Sequence, residues 1–188
     1  QVQAGFIVGF DNDTPSVFER MTEFIQTSGI ATAMVGLLQA PVGTELYKRL
    51  NREGRIRVDL SGDNSDGTTN IIPRMGLDSL QAGYRNLLHE LYSPTNYYRR
   101  VRTFLREYRP PRANIHITRS HVLAVVRSFY HLSLAGRERW EYPGLLFWTL
   151  FRRPRALPVA VVLAIYGYHY RKCYEPLLGA VVSGHARH

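Results

Sequence analysis

Few side chains in this sequence have the type and spacing that catalysis or metal binding requires. His116 and His121 are five residues apart, whereas two metal ligands on one face of a helix are four apart. His131 and His169 lie among aromatic residues, where a histidine is more often a hydrogen-bonded structural residue than a ligand. The sequence contains no phosphate-cradling Gly-x-x-x-x-Gly-Lys motif. We therefore predict no metal site among these residues.

The remaining chemical candidates are one thiol and two carboxylates. Cys173 follows Arg171 and Lys172, whose charges could lower the pKa of the thiol, but without an assigned histidine partner or pocket it is interpreted as structural. Asp11 and Asp13 could form a carboxylate pair, although capping of a helix explains them more simply. A single cysteine excludes an internal disulfide and favours a reducing compartment. With no secretory signal pattern, a cytoplasmic location is predicted.

Two apolar segments near the start of the chain predict the elements that would position a ligand. Residues 5–9 form a short apolar run closed by glycine, and residues 33–38 form a second run after an amphipathic stretch. This order is typical of two parallel strands joined by a helix. Ligands of such units collect at the carboxyl ends of the strands, which places residues 9–12 and 39–44 on one rim.

Local signals predict where the first helices begin and end. Thr14 is placed to cap a helix with Pro15 at its first position, and Gly29 ends that helix. After a turn at residues 41–43, Thr44 is expected to cap a second helix, which Gly54 ends in the left-handed conformation.

A long polar segment follows between residues 56 and 76. It contains Asp63, Asn64 and Asn70, and loops of this length are usually functional or disordered. Two interpretations stay open: a surface linker, or a lid whose polar side chains hydrogen-bond a substrate or cofactor.

From residue 77 onward the sequence is helical, and we predict a separate bundle of about five helices. The predicted runs begin at Leu77 and Pro94 and cover residues 116–134, 143–151 and 157–178, the last broken near Pro176. Inward positions at helical spacing are Leu77, Leu80, Tyr84, Leu87, Leu88, Leu91, Tyr97, Val101, Phe104, Leu105 and Tyr108.

The formal net charge of +9 would attract nucleic acid or anionic lipid. The arginines recur on the polar faces of successive predicted helices, as at Arg99, Arg100, Arg102 and Arg106, instead of forming one tract with stacking aromatics. We therefore predict solvated helix faces and no specific nucleic-acid groove.

The apolar run at residues 157–168 is too short to span a membrane, because spanning needs about 20 apolar residues and polar ones follow at once. A buried helix is predicted there instead. The basic run at residues 152–155, beside Trp148 and Phe151, leaves a second interpretation open, namely peripheral contact with the inner face of an anionic membrane.

Two motifs together resemble a known superfamily. Gly5-Phe6-Ile7-Val8-Gly9 and Pro41-Val42-Gly43-Thr44-Glu45-Leu46-Tyr47 look like the last two βα units of a radical S-adenosylmethionine (SAM) barrel. Segments 29–50 and 64–108 resemble the C-terminal portion of radical SAM proteins with an N-terminal cobalamin-binding domain, a group that includes hopanoid methylases. The resemblance implies an α/β fragment, the end of a partial TIM barrel, followed by a mostly α C-terminal helical bundle.

The resemblance also implies cofactors and site residues. The parent enzyme would use SAM and a 4Fe-4S cluster, with cobalamin where an unactivated carbon is methylated, and the cofactors would carry the chemistry. The adenine of SAM would lie against Gly5, Ile7, Gly9, Leu38 and Gln39.

In the polar segment, Asp63, Asn64 and Asn70 would contact substrate. Radical SAM clusters use three cysteine thiolates, and one cysteine cannot supply them. This chain, which enters a buried-type strand within four residues of Gln1, is therefore expected to be inactive by itself and a piece of a longer enzyme.

The expected organisation is residues 1–55 as the end of the barrel, 56–76 as loop or lid, and 77–188 as helical domain. Expected partners are the N-terminal remainder of the parent enzyme and a small-molecule or lipid-like substrate. The alternative is a non-enzymatic helical module that binds a partner protein or an anionic membrane surface.

Overall fold

The computed structural model describes residues 3–57, 67–110 and 140–184, with side chains described up to residue 176. The elements in chain order are β1 (Gln3–Val8), α1 (Ser16–Ser28), β2 (Thr32–Leu37), α2 (Glu45–Arg52), α3 (Leu77–Tyr92), α4 (Pro94–Glu107), α5 (Glu141–Arg152), a 3₁₀ turn (Pro154–Ala156) and α6 (Leu157–Gly184). The predicted helix at 116–134 lies outside the described residues, as do Asp63, Asn64, His116, His121 and His131.

The two strands form a parallel pair, as predicted. Gly5 is opposite Met34 and Ile7 is opposite Gly36, so the two strands run in register for six residues each. Alternation places Val8 and Val35 on the face that the helices cover, where both are fully buried. The opposite face exposes Gly5, Ile7 and Met34.

The caps of the early helices agree with the sequence except at the first. Gly29 ends α1 and Thr44 caps α2 by accepting a hydrogen bond from Tyr47 N, as predicted. Gly54 has the predicted left-handed φ, 69°, and Gly29 also adopts a left-handed φ of 68°. Thr14 does not cap α1, which begins at Ser16. Its hydroxyl pairs instead with that of Ser16, a local bond that competes with capping.

One hydrophobic core joins the sheet to the described helices. Positions predicted to face inward on α3 and α4, including Leu80, Leu91 and Val101, are fully buried and belong to the same cluster as Val8 and Val35. The boundary predicted at residue 77 is therefore not a break in the packing, and the described helices do not form a separate bundle.

Among the described residues, the two edges of the sheet differ in whether their backbone groups have hydrogen-bond partners. The carbonyls of Ala31, Ala33 and Val35 point away from β1, and each accepts a side-chain hydrogen bond: Arg100 to Ala31 at 3.3 Å, Tyr92 to Ala33, and Tyr84 to Val35 at 2.9 Å. Helices α3 and α4 thus seal the outer edge of β2.

On the other side, β1 turns an edge away from its partner. Leu38 N donates to Val8 O at 2.8 Å, and successive peptide groups alternate in direction, so the backbone groups of Gly5 and Ile7 point to the far edge. Within the described residues, no strand pairs there.

Helix α6 differs from its prediction at one point. It continues through Pro176 to Gly184, because a proline removes one helical hydrogen bond without always ending the helix. Its predicted burial is also partial, since Val162, Ile165 and Tyr166 are exposed. In the described part of the chain, every helix is too short or too polar to cross a membrane.

Candidate functional site

The predicted adenine wall lies on the uncovered face of the sheet. Ile7 is 54% exposed and Met34 46%, and a Cβ built on Gly5 would meet no atom within 4 Å. Open space above a glycine, flanked by two apolar side chains, suits a flat aromatic group. The geometry of this face is compatible with an adenine ring.

Gly9 is used by the fold in two ways. Its φ is +109°, and a Cβ there would lie 3.3 Å from the Leu80 side chain of α3. Any residue other than glycine would therefore strain the backbone and crowd Leu80 at this position. The Asp13 carboxylate accepts hydrogen bonds from the amides of Gly9 and Phe10 at 2.8 and 2.9 Å. Asp13 therefore caps the turn after β1, where the sequence had suggested a helix cap.

Leu38 and Gln39 follow β2 at the same end of the sheet. Both are half-buried, and the polar segment packs along them. Thr69 donates its hydroxyl to Leu38 O at 2.6 Å, and Gln39 donates to Thr68 O at 3.3 Å. Residues 38 and 39, at the start of the predicted rim, are thus hydrogen-bonded to residues 68 and 69 of the polar segment.

Asn70 fixes this returning chain to the strand end. Its Nδ2 donates to Ala40 O at 2.8 Å and its Oδ1 accepts from Ala40 N at 2.9 Å, while the residue is 3% exposed. Both ends of the amide are therefore committed to backbone. Asn70 stays a predicted substrate-loop residue, but in this structure its side chain clamps residues 70 and 40 together.

A charged cluster at the same rim was missed by sequence analysis. The Asp11 carboxylate binds Arg49 Nη1 and Arg55 Nη2, each at 2.7 Å, and Arg74 Nε lies 3.9 Å away. The hydrogen bond from Arg55, followed by that from Arg49, lowers the pKa of Asp11 to about 2, so it is ionised at neutral pH. Because its partners are 38 to 63 residues further along the chain, no local spacing could have revealed the cluster.

A pocket of about 400 Å³ opens beside these charges at the carboxyl ends of both strands. Asp11, Arg49 and Arg74 supply its charged wall. The remaining lining residues are mostly apolar: Phe10, Asn12, Leu38, Leu46, Leu50 and Ile71. Parallel strands generally bind ligands at this end, so the location agrees with the predicted rim.

Comparison with known proteins places most of the chain in one family. Residues 44–180 match a family described as a domain of unknown function, DUF4070. The chain belongs to the DUF4070 family. This domain is found in B12-binding radical SAM proteins, which agrees with the predicted resemblance at the level of the family.

Two curated relatives of this DUF4070 chain carry methyltransferase names. An uncharacterized methyltransferase of Synechocystis sp. is 38% identical over 106 residues, which is 55% of this chain and 20% of that protein. The hopanoid C-2 methylase of Rhodopseudomonas palustris is 31% identical over 121 residues, which is 64% of this chain and 21% of that protein. The chain thus spans about a fifth of the length of these relatives. No solved structure matches it significantly.

The DUF4070 chain has residues that fit some of the cofactors implied by the resemblance but not all of them. Its single cysteine cannot supply three thiolates to an iron-sulfur cluster. The open face at Gly5 has room for a flat ring.

The thiol itself is placed differently from expectation. Cys173 is exposed, and its Sγ lies 3.5 Å from His169 Nε2, so it has the histidine partner that sequence analysis did not assign. His169 is also exposed, beside the ring of Tyr170, and is not a buried structural histidine. The spacing of four residues puts both side chains on one face of α6. No group of three metal-binding side chains occurs in the described residues.

Exposed aromatic rings occur on helix α5 of the DUF4070 chain and at Trp140, the N-cap residue just before it, and arginines lie at the C-terminal end of the helix. Trp140 is 87% exposed, Phe151 is 79% exposed, and Phe147 stacks with Phe151 at a centroid distance of 6.4 Å. Trp148, which was predicted to contribute, instead packs against the core. Seven residues separate Trp140 from Phe147, so the rings lie on one side of the helix, and the basic run follows directly.

Proposed function

We propose that this chain is the C-terminal part of a B12-binding radical SAM enzyme of methyltransferase type. In this proposal, β1 and β2 are the last strands of a partial barrel, and the uncovered face of the sheet lines its interior. The described helices cover the outside and close the barrel at β2. The names of the relatives support the methyltransferase class, and the family match supports the radical SAM setting.

The observation that carries the proposal is the difference between the two edges of the sheet. Three carbonyls on the β2 edge are bonded to Tyr84, Tyr92 and Arg100. The backbone groups of Gly5 and Ile7 on the other edge face away from β2, and such an unpaired strand edge is a template for pairing with another strand. A further parallel strand from the N-terminal remainder of the enzyme would satisfy them and continue the barrel.

In the complete enzyme, SAM would supply the methyl group or the radical precursor, and this chain would position its adenine. Gly5, Ile7 and Gly9 would form one side of the adenine site, with the backbone of Leu38 and Gln39 beside them. The cluster ligands would come from another part of the enzyme. The coding sequence upstream of Gln1 is then expected to contain a Cys-x-x-x-Cys-x-x-Cys motif, and a complete gene without it refutes the proposal.

Gly5→Val tests the adenine wall directly in the full-length enzyme. A Cβ at this position meets no atom within 4 Å and a strand favours valine, so the fold is expected to be unchanged. The new side chain would occupy the space assigned to adenine, and SAM affinity is expected to fall by about tenfold or more. Gly9→Val is a poorer test because it collides with Leu80 and strains the backbone.

The control for this experiment is Gly5→Ala, which should give a smaller loss of SAM affinity in proportion to its size. Both variants should retain the thermal stability and the iron-sulfur absorbance of the parent. If Gly5→Val binds SAM as tightly as the parent does, the adenine does not lie on this face.

A second candidate function, contact with an anionic membrane surface, is favoured by the exposed rings of α5. We expect Trp140 and Phe151 to enter the interface while Arg152 and Arg155 remain near the lipid phosphates. The full-length protein should sediment with vesicles containing phosphatidylglycerol more than with neutral vesicles, and Trp140→Ser should reduce sedimentation. Phe24→Ser is the matched control, since Phe24 is an exposed ring on α1. Equal loss in both variants would exclude a specific α5 surface.

A further inference from the structure

We propose that the pocket at the strand ends binds an amphiphilic anion, meaning a carboxylate or phosphate group attached to an apolar body. Arg74 and Arg49 would hold the anionic group, and the apolar wall would hold the body. The proposal goes beyond the proposed function, because it depends on residues of this chain and on no radical chemistry.

The chemistry of the wall sets the class of ligand. Phe10 follows β1, Leu38 follows β2, and Leu46 and Leu50 come from α2, so three elements converge on one apolar surface. A volume of about 400 Å³ lies within the usual range of small-molecule sites, roughly 300 to 1,000 Å³. An inorganic ion would leave this apolar surface in water, whereas an amphiphile would cover it.

The charges around the pocket leave one cation in excess. Arg49, Arg55 and Arg74 face two carboxylates, Asp11 and Glu53. The difference is 3 − 2 = +1, counted over these five side chains. The pocket therefore favours an anion even with its own carboxylates ionised.

The three arginines are not equally available to a ligand. Arg55 is 14% exposed, and its guanidinium already donates to Asp11, Glu53 and the carbonyl of Ile72. The side chain of Arg49 is 46% exposed and holds Asp11 through Nη1. Arg74 is 62% exposed, and its nearest carboxylate among the described residues is Asp11 at 3.9 Å, beyond hydrogen-bonding distance.

These differences assign a role to each group. Asp11, held by Arg55, orients Arg49 and stays ionised. Arg74 lines the pocket, and its contact with Asp11 is a charge interaction without a hydrogen bond. Its planar guanidinium can therefore donate to two oxygens of a ligand carboxylate or phosphate. Exposed ion pairs contribute little, so replacing the weak Asp11 contact of Arg74 by a ligand oxyanion costs little.

The test is titration calorimetry of the full-length protein with octyl phosphate, octanoate and octanol. Octyl phosphate or octanoate is expected to bind at least tenfold more tightly than octanol, and the tighter of the two identifies the anionic group. Inorganic phosphate is expected to bind more weakly than octyl phosphate. If octanol equals both anions, or inorganic phosphate equals octyl phosphate, the proposal is overturned.

Variants locate the site. Arg74→Met is expected to weaken binding of the preferred anion by tenfold or more, and Arg74→Lys by less, because the charge is kept but the fork is lost. Arg52→Met is the matched control, since Arg52 is exposed on the same helix as Arg49 but does not line the pocket. Equal effects of Arg74→Met and Arg52→Met would mean nonspecific attraction. SAM affinity should be unchanged in all three variants, which separates this test from that of the adenine wall.

Discussion

The Asn70 amide offers a sharp test of what the polar segment does. In Asn70→Ala, the N–H and C=O of Ala40 lose their partners, and Ala40 is fully buried, so water cannot replace them. Two hydrogen bonds contribute about 2 kcal/mol, and burial of the orphaned groups raises the cost to roughly 4 kcal/mol. We expect the segment to separate from the strand end far more often than in the parent.

Hydrogen exchange of the Ala40 amide measures this directly in the full-length protein. A loss of about 2 to 4 kcal/mol in the local opening free energy corresponds to roughly 30-fold to 1,000-fold faster exchange. Asn86→Ala is the control, because Asn86 is exposed on α3 and its loss should leave exchange at Ala40 unchanged. Should Asn70→Ala lower turnover while Ala40 exchanges at the parent rate, Asn70 acts on substrate and the clamp is unimportant.

Three further perturbations follow from the same contacts. Gly167→Ala would place a Cβ 2.3 Å from Tyr97 Cε1, so thermal unfolding should show a loss of roughly 1 to 3 kcal/mol despite the gain in helix propensity, and an unchanged melting temperature would contradict this packing. Tyr84→Phe removes a donor from a buried strand carbonyl and should cost about 1 kcal/mol in urea unfolding, whereas no change would mean that the β2 edge needs no cap. Asp11→Asn removes a carboxyl whose pKa the hydrogen bond from Arg55 lowers from 3.8 to about 2 in the parent. That shift corresponds to at most about 2.4 kcal/mol of folding stability, and to about 1 kcal/mol after solvent screening. Because the folded-state pKa is lowered, this advantage of the parent should be present above pH 4 and disappear as the pH falls through about 2, and a pH-independent difference would refute the ion pairs.

Elements with regular periodicity were predictable from sequence. The buried face of α3 was correct at Leu80, Leu87 and Leu91, because a 3.6-residue repeat reports which side of a helix meets the core. The parallel pairing followed from two short apolar runs separated by one helix. The end of α1 at Gly29 was also correct, because glycine is the residue that most often follows the last turn of a helix.

Features that depend on distant contacts were not predictable in this way. Arg100 was expected on a solvated face, yet it is fully buried between the rings of Tyr92 and Tyr97. It donates hydrogen bonds to Gln26 and to the carbonyls of Leu91 and Ala31. No local pattern distinguishes it from its exposed neighbour Arg99. The Asp11 cluster was missed for the same reason, since its partners lie in other elements.

The buried Arg100 is the most informative of these failures. Burial of the guanidinium lowers its pKa, and a buried charge persists where hydrogen bonds and aromatic faces compensate it. Its Nη1 bonds Gln26 of α1 and the carbonyl of Leu91 in α3, while Nη2 bonds Ala31 before β2. One side chain thereby ties three elements to the end of the sheet.

These contacts connect the region matched by the family to the two strands that precede it. The matched family region, residues 44–180, excludes both strands but contains Tyr84, Tyr92 and Arg100. These side chains donate to carbonyls of β2 and of Ala31 just before it, and their neighbours share one core with Val8 and Val35. Separated from β2, these three side chains and the apolar face of α3 would meet water. In this chain, the helices of the DUF4070 region therefore depend on the preceding strand β2 to bury their apolar face, and they cover the outer edge of that strand.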